Sequence, residues 1–93
     1  MRNKNIYVEV VKYMKNLMNP DCDLLTCIHS IGKLSDIQLL TSDTFLDENI
    51  DIFYTAYNEA AEHMDNNDTE NAMKSIRKMK RIALALMDEY LET

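Results

Sequence analysis

Glu59 and Glu62, in the run Glu59-Ala60-Ala61-Glu62, stand close to one helical turn apart. On a helix their carboxylates would project from one face. Such a pair can hold a hard divalent cation and polarise a water for attack on a phosphoanhydride. That chemistry needs a second set of acids facing the first. The segment that would face it, residues 71–87, contains no Asp and no Glu. Glu48 lies on the same segment as Glu59, about 16 Å away along a helix axis, too far to share its metal.

Half a site of this kind matches all-α, metal-dependent nucleotide pyrophosphohydrolases, and the missing half argues against that activity. The acidic turn 65–70 lacks the Gly and the closing Glu of a calcium loop. Cys22, Cys27, His29 and His63 have zinc-ligand chemistry, but a C-x4-C-x-H spacing on one helix points its groups to different sides. Two cysteines are too few for a disulfide framework, and two free thiols are expected. His29 beside Cys27 has no third group to orient it as the base of a nucleophile. The expectation is a protein with no metal, no cofactor and no enzymatic activity.

The charge layout points elsewhere. Between Leu34 and Met73 there are ten acidic residues and no Lys or Arg, and then Lys74, Arg77, Lys78, Lys80 and Arg81 follow within eight positions. The formal net charge of −6 comes from that acidic block, because residues 1–33 are slightly basic. Acidity disfavours direct binding to nucleic acid or to an anionic membrane, where attraction to phosphate supplies most of the affinity. A helix-turn-helix around Gly32 would have Ser35–Ser42 as its reading helix, which carries one acid and no base. The acids Glu48, Asp51, Glu59, Glu62 and Asp65 instead form a candidate docking face for a basic protein surface. The alternative is a solvated outer face on which Glu59 and Glu62 pair with Lys74 and Arg77.

The elements that carry these residues are helical. One Gly and one Pro in 93 residues leave little material for the tight turns of a β fold. An apolar content of 46% supports one core, and no apolar run approaches the roughly 18 residues that would span a bilayer. The N-terminal run MRNKNIYVEV shows no leader cleavage pattern, which with the free thiols implies a cytoplasmic chain. Apolar steps of three and four predict helices over residues 5–18, 21–31, 35–40, 44–64 and 69–91. The second is expected to bury Leu24, Leu25, Ile28 and Ile31 and to end at Gly32. Ser35 and Gln38 then form a capping box for the third. Leu46, Ile50, Phe53, Tyr57, Ala60, Ala61 and Met64 form the fourth stripe. Ala72, Met73, Ile76, Met79, Ala83, Leu86, Met87 and Tyr90 form the fifth.

The fold expected is all-α: a single domain over 1–93, a bundle of four to five helices ending in a long antiparallel helical hairpin. Residues 53–79 resemble one hairpin of a tetratricopeptide repeat, with small residues on the first helix, a polar turn and an early Ala in the second. The repeat's Gly and closing Pro are missing and there is no second copy, so the stretch reads as ordinary helix-pair chemistry. Phe45, Ile52 and Ala56 fall off the main stripe of the fourth helix and form a candidate homodimer seam. The functional expectation is a small acidic regulator or inhibitor that docks on a basic partner surface and occludes it. Size, acidity and the absence of catalytic groups match a phage or mobile-element antagonist of a host system. The alternatives are a homo-oligomeric structural protein and a helical protein that holds a small ligand.

Overall fold

Helix α1 (Lys4–Met18) forms where the apolar stripe is densest, and Tyr7, Val10, Val11, Met14 and Leu17 are all buried along it. The structure is a computed structural model and describes residues 4–92. The reading of the N-terminus as free of a leader also involves residues 1–3, which lie outside the described residues. Asn19 lies between α1 and the second helix. Its side-chain carbonyl accepts from the Asp21 N–H at 3.0 Å, so Asn19-Pro20-Asp21 is an Asx turn.

Helix α2 (Leu24–Leu40) corrects the sequence reading, because one helix of 17 residues replaces two short ones. Asp23 caps it, accepting from the Thr26 N–H at 2.7 Å. Gly32 continues the helix and has no left-handed φ. A glycine inside a helix costs only about 1 kcal/mol relative to Ala. An uninterrupted backbone ladder and the burial of Leu34, just past the glycine, outweigh that. The Ser35 hydroxyl does not cap. It donates to the Tyr54 hydroxyl at 3.2 Å, and Tyr54 in turn donates to the Ile31 carbonyl at 2.9 Å. The merged helix is rolled so that Ser30 and Leu34 face inward. Leu24, Leu25 and Ile28, expected in the core, are therefore exposed, as are Leu39 and Leu40.

Helix α3 (Thr44–Asp65) starts at Asp43, whose carboxylate accepts from the Leu46 N–H at 3.2 Å. Helix α4 (Thr69–Glu92) starts after Asp68, which accepts from the Asn71 N–H at 3.2 Å. Between them Asn67 takes a left-handed φ of 57°, which Asn tolerates better than most residues, and the Asp68 N–H returns to the His63 carbonyl at 2.8 Å. The two helices pack along each other through small residues, with Ala56, Ala60 and Ala72 buried. Met64 and Met73, expected on the buried stripes, flank the turn and are exposed.

The architecture is thus four helices and no strand among the described residues. The core is one cluster, filled by α1, α3 and α4, to which α2 adds a single fully buried apolar side chain, Leu34. Ser30, also buried, accepts from the Asn16 amide at 3.3 Å and ties α2 to α1.

Asp43 does two jobs, and a prediction follows. Besides capping α3 it accepts from the buried Tyr7 hydroxyl at 2.7 Å, which locks the start of α1 onto the start of α3. Asp43→Ala should lower the unfolding free energy by about 2–3 kcal/mol, combining a lost cap with a lost partner for a buried donor. In a Tyr7→Phe background the same change should cost about 1 kcal/mol less, because the hydrogen bond to Tyr7 is already gone. Urea denaturation followed by circular dichroism measures both, and an equal cost in the two backgrounds would show that the two roles are not linked.

Candidate functional site

The acids of α3 lie on the side of the helix that its packing leaves outside. The buried positions Leu46, Ile50, Phe53, Ala56 and Ala60 define one face. Glu48, Asp51, Glu59 and Glu62 fall within about 80° of arc on the opposite face and run over roughly 21 Å of axis. All four are exposed, and so is Asp65, which sits about 60° to one side at the helix end. The structure therefore brings four of the five proposed docking residues onto one stripe.

The alternative, a solvated outer face, includes a pairing of Glu59 and Glu62 with Lys74 and Arg77 across the α3–α4 seam. Among the described residues no Lys or Arg comes within ion-pair distance of Glu48, Asp51, Glu59, Glu62 or Asp65, and His63 with Asp68 at 3.8 Å is the ion pair near the turn. The acids are exposed on their own side of α3. On α4, Lys74, Arg77, Lys78 and Arg81 form their own exposed stripe, pointing away from the core. The α3–α4 pair is bipolar in cross-section, with an acidic outer edge and a basic one.

One stripe residue is held in place. The Gln38 amide, reaching across from α2, donates to Asp51 at 2.7 Å and to the Asp47 carboxylate at 3.1 Å. This fixes the Asp51 carboxylate and pins the end of α2 to α3. Tyr54, one turn further in, is shifted above the ordinary phenol value chiefly by burial. It stays a neutral hydroxyl between Ser35 and Ile31.

The metal and nucleophile candidates are not assembled. Glu59 and Glu62 point to solvent, away from α4. Among the described residues no three His, Cys, Asp or Glu side chains stand close enough to hold a metal ion. Cys22 precedes α2 and does not share its helix with Cys27, which corrects the geometry expected for the two thiols. Both are free. Hydrogen bonding with Cys27, then desolvation and the nearby Asp23 carboxylate, push the Cys22 thiol up to about 11. It is therefore protonated at neutral pH and a poor nucleophile. Hydrogen bonds from the Asn71 side chain and backbone hold the Asp68 carboxyl below its ordinary value, which is what an ionised helix cap requires.

The candidate dimer seam on α3 comprises Phe45, Ile52 and Ala56. Ala56 is completely buried and Phe45 packs against the core, leaving only Ile52 exposed, at 44%. Five large exposed apolar residues, Leu24, Leu25, Ile28, Leu39 and Leu40, lie on α2, and the others are spread over α1 (Val8), α3 (Ile52, Met64) and α4 (Met73, Leu84, Leu91). Sequence reasoning missed the α2 face because a break at Gly32 divided it between two helices. Read as one helix, residues 24–40 carry apolar side chains around most of the circumference, which marks a helix with more than one packed side. A groove of about 590 Å³ also opens between α1 and α4, lined by Tyr7, Val8, Val11, Met87 and Tyr90 with Lys12, Lys15 and Asn16.

Comparison with protein-family models, with curated proteins and with solved structures finds no match. Among the described residues no helix is long and apolar enough to cross a membrane. The class defined by the described residues is a four-helix all-α protein whose acidic stripe has no Lys or Arg among those residues paired to it.

Proposed function

We propose that this chain is a non-enzymatic protein-binding module whose α3 stripe docks on a basic surface of another protein. The observation that carries the reading is the alignment of Glu48, Asp51, Glu59 and Glu62 on one solvent-facing edge with no Lys or Arg of the described residues paired to them. Like charges gathered at one edge repel each other and weaken the folded state. A cationic partner relieves that repulsion and is steered toward the stripe before contact. Helix α3, buried along one face from Leu46 to Ala60, presents the carboxylates as a preformed row, with Asp65 at its end. Occlusion of a nucleic-acid-binding groove on the partner is the mode that fits, because a row of fixed carboxylates competes with a row of phosphates. A cytoplasmic regulator or inhibitor of the kind that phage and mobile elements direct at host systems would act this way.

The test is comparative capture from a lysate of the native host. Wild-type protein should retain a basic partner. A Glu48→Gln, Asp51→Asn, Glu59→Gln, Glu62→Gln variant should lose at least tenfold of it while keeping its helicity and thermal midpoint. Equal capture by the neutralised variant would remove the reading.

A further inference from the structure

The outward face of α2 points to a second interface, separate from the acidic stripe: we propose that two copies of this chain pair through it, antiparallel, about a two-fold axis at Gly32. On the helical wheel Leu24, Ile28, Gly32, Leu25 and Leu39, with Ser35 among them, occupy a continuous arc of about 100° that contains no charge. Leu24, Leu25 and Leu39 are 74%, 79% and 84% exposed, and Ile28 57%. Together with Gly32 and Ser35 the stripe exposes on the order of 600 Å² per copy. Doubling it reaches the lower end of the roughly 1,200–2,000 Å² that stable specific interfaces bury.

The arrangement of residues identifies the occupant as a second copy. Gly32 is the midpoint of α2, with Leu25 seven residues before it and Leu39 seven after. In an antiparallel pair centred there, Leu25 of each copy meets Leu39 of the other at the same height, close to the centre of the seam. Along one flank His29, three residues before Gly32, and Asp36, four after, come from opposite copies to within about 1.5 Å of axial height. The pairing occurs twice by symmetry and gives a donor or cation to each carboxylate. Along the other flank Ile28 falls beside Ser35. A closed, isologous contact of this kind uses every part of the face.

Gly32 itself is the second observation. A Cβ built on it meets nothing within 4 Å, so the protomer gains no packing from the absence of a side chain. Within one chain the glycine is only a cost to the helix. At a two-fold axis it lets two backbones approach where any side chain would meet its own copy. A membrane surface suits the face less well, since an interfacial helix is flanked by several Lys or Arg and this one is flanked by Lys33 alone. A different protein partner has no reason to match the register about Gly32.

Light scattering and sedimentation equilibrium on the full chain test this. From about 1 to about 100 µM the wild type should move to twice the 10.9 kDa chain mass. Leu25→Glu and Leu39→Glu, both at exposed positions, should each raise the dissociation constant at least tenfold with unchanged circular dichroism. Met73→Glu on α4 should leave it unchanged. Gly32→Ala supplies an independent reading: it should weaken the dimer several-fold, yet raise the thermal midpoint of the Leu25→Glu monomer. A chain that remains monomeric throughout, or a dimer indifferent to Leu25→Glu and Leu39→Glu, would overturn the proposal. The first outcome would leave the stripe to an unrelated protein and the second would place the seam elsewhere. Neither bears on the α3 stripe, which the charge-neutralised variant tests separately.

Discussion

Phe53→Ala should lower the unfolding free energy by about 3–5 kcal/mol, more than other single truncations in the chain. Phe53 is fully buried midway along α3, among Ile50, Ala56 and the core residues of α1 and α4. Removing the ring deletes its transfer free energy and leaves a cavity that the surrounding helices cannot close without moving. Domains of this size hold on the order of 5–15 kcal/mol in total, so the variant should sit near the edge of folding at 37 °C. Urea denaturation at 25 °C reads the change as a lower midpoint. A loss below about 1.5 kcal/mol would mean that the ring is not at the packing centre.

Leu34→Ala should cost about 2–4 kcal/mol, and the loss should be concentrated in one helix. Leu34 is the only fully buried apolar side chain of α2. The remaining ties of that helix are the partly buried Cys27, Ile31 and Ile37 and the hydrogen bonds of Asn16 to Ser30, Tyr54 to Ile31 and Gln38 to Asp51. Hydrogen bonds of this kind contribute roughly 0.5–1.5 kcal/mol each, so loss of the one fully buried apolar anchor weakens the 17-residue helix most. Amide exchange should therefore speed up across residues 24–40 well before it does in α3 and α4. Uniform acceleration over all four helices would show that α2 belongs to the same cooperative unit as the rest.

The sequence was legible where one side of a helix is buried and the other wet. The stripes of α1, α3 and α4 could be read from three- and four-residue steps, and the acids of α3 could be placed on its outer edge from the same steps. α2 was not legible, because its apolar residues lie on both the buried and the exposed side. Periodicity then loses its contrast, and Gly32 with Ser35 mimics a helix end followed by a cap. Which side of such a helix packs is decided by tertiary partners, here Tyr54, Asn16 and Asp51, that are distant in sequence. Ala56 lies at the edge of the α3 stripe, where spacing alone does not decide burial, and it is completely buried. The lack of pairing between Glu59 or Glu62 and the α4 cations was equally hidden. Spacing along each helix does not give the rotation of one helix against the other.

The central claim is that the α3 stripe recruits a basic partner by charge, and the dependence of association rate on salt tests it most directly. For the partner retained by the wild-type chain, the rate should fall at least tenfold between about 20 and about 300 mM salt, as screening shortens the reach of the stripe. The Glu48→Gln, Asp51→Asn, Glu59→Gln, Glu62→Gln variant should associate slowly at every salt concentration, with a nearly flat profile. A wild-type rate indifferent to salt over that range would contradict the account.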